Sequence, residues 1–318
     1  MPTKYYDPSL STGDDDGSTE ANAWRTLQKA ADSAVADDLI LCRYTVAGET
    51  LSATVDVDVV TGLRFVGVNS SWVEDGTRCT LDANDTAASC VKPAKHYNMF
   101  RNFRFINATG AGADNSASNT YNLVYVNCLA EDNGTYGFYR GPYCSFFLDC
   151  ISRNNGNNGF SSISYGTVMN RCASIGNTGW DLYDFSIMTI MNSVFHDNSS
   201  GGMSTGSSFS GSIVNCVVDG NTGNGIYVGN SYVTHISGCR ITNNTGYGLV
   251  GSSGSRCTYD HCLIVDNPSG AIDDSIAAYV YDLGGNVTTG AAGYVDRDND
   301  NFTTATDAQL RREAVTIG

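Results

Sequence analysis

Basic residues are scarce in this sequence: 18 Lys and Arg stand against 33 Asp and Glu, a formal charge of −15 over 318 residues. A body of that sign repels phosphate backbones, so a nucleic-acid partner is not expected. Long apolar runs are also missing. No stretch approaches 18 consecutive apolar residues, and residues Met1 to Asp16 show neither the basic start nor the apolar run of a signal peptide. The expectation is no membrane partner, no export signal, and no glycosylation at the sequons Asn69-Ser-Ser, Asn133-Gly-Thr and Asn286-Val-Thr. Only four histidines occur, His96, His196, His235 and His261, and none pairs with a Ser or Cys in a triad. No CxxC pair and no His at ligand spacing supports a structural metal site.

What is present is regular. Cysteines fall at 128, 150, 172, 216, 239 and 262, and Ser193 takes the one missing place, so the steps are 22, 22, 21, 23, 23 and 23. Five residues after each stands an asparagine: Asn133, Asn155, Asn177, Asn198, Asn221, Asn244 and Asn267. Five further on stands an apolar residue: Phe138, Phe160, Leu182, Met203, Ile226, Leu249 and Ile272. Three columns in register over seven repeats mark a solenoid.

A unit of this length with short β-rich runs cannot bury its apolar face alone and stacks on its neighbours, one strand spacing (about 4.8 Å) per coil. The sequence therefore predicts an all-β right-handed parallel β-helix. The asparagines suit a tight turn, since Asn tolerates the left-handed region and its amide can bond the next Asn. Gly137, Gly159, Gly225 and Gly248 are expected to supply positive φ as the next strand begins. The apolar and cysteine columns are expected to point inward, the cysteines as free thiols, with disulfides between neighbouring coils as the alternative.

Upstream, the segment from Gly17 reads as a helix capped by Ser18 or Thr19, with Trp24, Leu27, Ala31 and Ala34 at helical spacing. The domain reading is an arm and capping helix over 1–37 and a β-helix over 38–283, with regular coils at about 121–272. A C-terminal extension or cap follows over 284–318. Runs at Leu39–Cys42, Val55–Val60, Leu63–Val68 and Met99–Ile106 read as earlier, less regular coils, Thr109–Thr120 as a loop or bulge, and Ala278–Asp282 as a last strand.

The Ala-Trp-Arg-Thr-Leu-Gln-Lys-Ala helix followed by Asn- and Cys-marked coils resembles the pectate-lyase-like right-handed β-helix superfamily. The closing pattern Tyr294…Asn301-Phe302…Ala308…Arg311-Arg312 is similar to ends seen on phage-encoded and environmental bacterial β-helix proteins, a looser likeness. The resemblance implies polysaccharide lyases, glycoside hydrolases, phage tailspikes or non-catalytic surface proteins, and fold alone does not choose among them. Polygalacturonase-like members carry Asn-Thr-Asp, Asp-Asp, Gly-His-Gly and Arg-Ile-Lys on consecutive coils, and that series is absent in order. Asp273-Asp274 sits in the last clear coil and reads as a charged turn.

The best mid-solenoid candidate for chemistry is Trp180-Asp-Leu-Tyr-Asp184. With Leu182 inward, period-two alternation sends Asp181 and Tyr183 to solvent, and the same phase puts Tyr139 and Tyr227 on that face. Tyr139, Trp180, Tyr183 and Tyr227 would stack on sugar rings beside Asp181, with Arg140 and Arg153 neutralising an acidic sugar; Asp181 and Asp184 are the candidates for catalysis. Asp296, Asp298 and Asp300, with Asp307 at the twelfth place, start like a Ca²⁺ loop, but Asn301 stands where its glycine belongs, so a solvated acidic loop is the preferred reading. No cofactor is otherwise expected. The functional expectation is a non-catalytic structural or adhesive β-helix, a phage virion component such as a tail spike, head fibre or capsid decoration. Its expected partners are a surface polysaccharide and other virion proteins, and a homotrimer is what the resemblance adds. The expected location is the virion; the alternative is a cytoplasmic protein or one exported by a non-classical route. The alternative function is a polysaccharide lyase or glycoside hydrolase working on the same face.

Overall fold

Three short strands and the corners between them make up each repeat. The computed structural model describes residues 3–117, 120–140, 143–163, 165–186, 188–206, 210–229, 233–252, 254–273, 280–289, 294–296 and 301–304, with backbone only at 184, 185, 233, 294–296 and 301–304. The chain divides into two units, Met1–Gly156 and Asn157–Gly318. Every pairing between coils is parallel and one coil apart, the signature of a parallel β-helix.

In the first unit, one sheet stacks Thr3–Tyr6, Leu39–Arg43, Arg64–Val68, Met99–Arg101, Val124–Val126 and Phe146–Leu148. A second stacks Glu49–Thr50, Cys79–Asp82, Phe103–Ile106, Leu129–Glu131 and Ile151–Arg153, and a third Val55–Val57, Ser89–Pro93, Ala111–Asp114 and Phe138–Tyr139. The expected early coils are there. The strand Ala111–Asp114 corrects the loop expected at Thr109–Thr120: small residues fit where Gly112 lies against the Asn133 amide and the Gly137 carbonyl. Inside, like stacks on like. Phe65, Phe100, Tyr125 and Phe147 form a ladder of near-parallel rings 5.0, 5.7 and 5.3 Å apart, each contact worth about 0.5–1.5 kcal/mol beyond burial.

The predicted helix is shorter than expected. It spans Leu27–Ser33 and is capped by Thr26, whose side chain accepts from the Lys29 N–H. Trp24 lies outside it because its backbone is taken by a bridge to Tyr6, and its ring is fully buried. Leu27, Ala30 and Ala31 supply the buried side of the helix. Glu49 ties the start of the chain together, accepting from the Tyr6 hydroxyl at 2.5 Å and from the Leu27 N–H at 3.0 Å.

In the second unit the sheets stack from Thr167–Asn170 to Val280–Asp282, from Ala173–Ile175 to Leu263–Val265, and from Phe160–Ser161 to Gly270–Ile272. Here the stacked core is aliphatic, with Ile190, Ile213 and Ile236 in one register column. Beyond the coils, Tyr294–Asp296 and Asn301–Thr304 pair antiparallel.

The three columns read from the sequence have these roles. The cysteine column is buried and all eleven thiols are free. Their S–H groups donate to carbonyls, as Cys128 does to Phe100 at 3.3 Å. Ser193 fits the column by donating to the Met191 carbonyl and accepting from the Cys172 N–H. The asparagines form the ladder: Oδ1 of Asn155, Asn198, Asn221, Asn244 and Asn267 accepts both the backbone N–H and the Nδ2–H of the preceding asparagine. From Asn155 to Asn133 these bonds are 3.1 and 2.9 Å, and from Asn221 to Asn198 they are 2.9 and 3.1 Å.

Two expectations about turn conformation are corrected. The ladder asparagines are not left-handed; the residue before each is, as at Asp132, Asn154, Asp197 and Asn243. A second left-handed corner precedes each position of the cysteine column, at Asn127, Asp149, Asn192 (before Ser193) and Asn215. Gly159, Gly225 and Gly248 have ordinary φ and are needed for space instead. A Cβ on Gly225 would sit 2.4 Å from Ile241 Cγ2 and 2.9 Å from Asn244 Nδ2.

Candidate functional site

That glycine position explains the largest correction. The third-sheet register aligns Phe160, Leu182, Met203, Ile226 and Leu249, so the residue before each forms one column: Gly159, Asp181, Gly202, Gly225 and Gly248. The chain turns inward there, and both members of the Asp181-Leu182 pair face the interior. Asp181 is therefore fully buried, not solvent-facing as simple alternation implied. One carboxylate oxygen, Oδ1, accepts from Asn198 Nδ2 in the ladder; the other, Oδ2, has no hydrogen-bond partner. Burial pushes its pKa well above the usual carboxylate range, outweighing the bond from Asn198 that favours the charge. A carboxyl enclosed in this way does not meet a polymer lying on the surface.

The other expected residues are placed as follows. Tyr183 is exposed, Trp180 half-buried with its ring over Gly201, and the two rings sit 6.3 Å apart. Tyr227 lies on the same strand face as Tyr183, two coils on through Ser204, as expected. The side chain of Asp184 lies outside the described residues, as do Asp274, Asp298, Asp300, Asp307 and the side chain of Asp296. Among the described residues, no group of three or more His, Cys, Asp or Glu stands close enough to hold a metal ion. Arg153 binds Glu131 on the second sheet rather than joining the tyrosines.

In the first unit Tyr139 lies flat on Tyr136, ring centres 4.5 Å apart and 8° from parallel. Arg140 bends back over Tyr139 at 5.3 Å and donates from Nε to its hydroxyl at 3.2 Å. Arg140 is in the left-handed region, φ 50°, where the third-sheet strand turns towards the first sheet.

The same corner carries a feature that the sequence reading missed. Tyr97, Tyr121 and Tyr143 follow one another on consecutive coils, joined by the Tyr97 N–H to Tyr121 carbonyl bond and a parallel bridge between Tyr121 and Tyr143. Their side chains remain 61%, 40% and 41% exposed. The Tyr121 and Tyr143 rings stack at 5.5 Å, and His96 packs on Tyr121 at 5.0 Å, its Nδ1 accepting from the Tyr121 N–H. Tyr97, Tyr121, Tyr143 and Tyr165 are 24, 22 and 22 residues apart, so coil periodicity could have exposed the row. Aromatic faces with a hydroxyl at the edge offer an apolar platform and a hydrogen-bonding rim together.

Comparison with known proteins agrees with this architecture. A family model for a right handed beta helix region matches residues 146–282. No curated protein sequence matches. Among solved structures, the chain is similar to pectate lyase Pel9A (TM-score 0.65, 16% identity, 98% of this chain and 89% of that one). It is similar also to a rhamnogalacturonan lyase (0.58, 13%, 98% and 94%) and to the A-module of mannuronan C-5 epimerase AlgE6 from Azotobacter vinelandii (0.53, 14%, 80% and 81%). At such identities the likeness is one of fold: the chain has the right-handed parallel β-helix architecture found in polysaccharide lyases and epimerases.

Proposed function

We propose that this chain is a non-catalytic, glycan-binding β-helix, with the polysaccharide lying along the corner lined by Tyr97, Tyr121, Tyr143, Tyr139 and Arg140. This reading rests on the row of solvent-facing tyrosines on consecutive coils, with Tyr121 and Tyr143 stacked and His96 packed on Tyr121. Rings repeated at the coil spacing match a polymer that presents a sugar face at regular intervals, and rigid aromatics bind at low entropic cost. Trp180 and Tyr183 form a smaller platform of the same kind in the second unit. A hydrolase reading would need a carboxyl at the surface, and its candidate Asp181 is enclosed instead.

The finer form of the proposal is a virion adhesin, such as a tail spike, head fibre or capsid decoration. In it, the helix Leu27–Ser33 and the segment 284–318 serve as end caps, and three copies assemble. Sedimentation would check the trimer, and capsid or tail genes beside the coding sequence would check the setting. The functional test is a panel of neutral and acidic polysaccharides, each followed for retardation in affinity gels and for new reducing ends or unsaturated products. Retardation without products is the expected result. Product formation abolished by Asp181→Asn or Asp184→Asn would overturn it.

A further inference from the structure

The few basic residues of this acidic chain are not evenly spread. On the outer face of the second sheet in the first unit, Arg104 and Arg153 flank Glu131, and each gives its Nε–H to one oxygen of that carboxylate, Arg153 at 2.5 Å. Glu131 is buried, 3% exposed, while the two guanidinium side chains are 40% and 47% exposed. A third guanidinium arrives from the insertion between Arg64–Val68 and Cys79–Asp82. Arg78 donates from Nε to the Asn127 carbonyl at 3.0 Å and from Nη2 to Asn127 Oδ1 at 2.6 Å. Asn127 is the corner residue of the coil that carries Glu131. Burial holds the Arg78 pKa below its ordinary value, and Arg78 feels the charges of both Glu131 and Arg153.

Two permanent cations thus share one carboxylate, and a third is fixed at the Asn127 corner of the same coil. Arg104 and Arg153 each give their Nε–H to Glu131, which holds both planar forks in place while their side chains stay partly exposed. Arg78 is held independently by the Asn127 corner. The three guanidinium groups outnumber the one carboxylate that two of them bind inside a −15 chain, and their forks are ordered before any ligand arrives. Cations from three separate anchors suit a group with three or more oxygens better than a planar carboxylate, which a single fork satisfies.

We propose that Arg78, Arg104 and Arg153 form a binding site for a tetrahedral oxyanion, a sulfate or phosphate group. The site goes beyond the tyrosine corner: it lies on another sheet and uses none of the aromatic residues. The test is calorimetric titration of the full chain at low salt with inorganic sulfate, inorganic phosphate, a sulfated monosaccharide and acetate. Sulfate or phosphate should bind, and Arg78→Gln, which leaves the Glu131 pairs intact, should weaken binding about tenfold or more, as loss of a charged hydrogen bond does. Arg153→Gln should do the same, while Lys92→Gln, on the third sheet, should not. Tighter binding of the sulfated sugar than of the free ion assigns the ester as the natural source, and equal binding assigns the free ion; both support the site. No binding, acetate binding as tightly as sulfate, or equal weakening by Lys92→Gln would overturn it. These ligands lack an extended sugar chain, so the result is independent of the glycan-binding proposal.

Discussion

Asp181 is the residue at which this chain departs most from its own rule. Its neighbours in the column are glycines, because a Cβ there meets the asparagine ladder and the second-sheet core of the next coil. A carboxyl in that place is buried with one oxygen unsatisfied, a defect that costs about 1–3 kcal/mol. Asp181→Gly should therefore raise stability to chemical denaturation at pH 7 by about that amount. The pH dependence has a definite sign. Folding raises this pKa, so the protein binds the proton more tightly folded than unfolded. The favourable contribution is fully present below the unfolded value, about 3.9, and is lost as pH rises through the folded one. The gain from Asp181→Asn over the parent should accordingly be larger at pH 7 than at pH 4. A gain that does not change with pH would show that folding leaves this pKa unshifted.

At the scale of elements, the asparagine ladder and the left-handed corners set the coil. Asn198→Leu or Asn221→Leu removes acceptors for a backbone N–H and a side-chain amide at once, and should cost about 1–3 kcal/mol in denaturant melts. An unchanged midpoint would mean that the ladder is incidental. Most of this element was legible in the sequence. Cys, Asn and apolar residues at fixed offsets pick out the three inward positions, since like stacks on like from coil to coil. The positions between them were not legible by alternation. Short strands joined by left-handed corners do not sustain a period of two, so Leu182 facing inward did not send Asp181 outward. The helix start was misplaced for a similar reason: Trp24 has helical spacing to Leu27, but its backbone is committed to Tyr6. The tyrosine row escaped notice because Tyr97 and Tyr121 precede or begin the regular register and lie on a corner, outside the columns that define the repeat.

At the scale of the whole molecule, the account is of a thiol-filled solenoid that carries its recognition chemistry on its outside. Eleven cysteines without a disulfide predict that a thiol reagent finds about one reactive group in the native protein, exposed Cys144, and all eleven after denaturation. Burial holds the others back, pushing Cys90 and Cys257 to about 12. Reducing agent should leave the melting temperature unchanged, whereas a fall would reveal cross-coil disulfides.

The proposed role of the stacked corner tyrosines is to bind a glycan without cleaving it. It is tested most directly by titrating the best-retarded polysaccharide into the parent and into Tyr121→Ala/Tyr143→Ala, with products assayed in the same samples. The double variant should lose about tenfold or more in affinity with unchanged thermal stability, and neither protein should form products. Equal affinity in the two proteins, or cleavage by the parent, would contradict it.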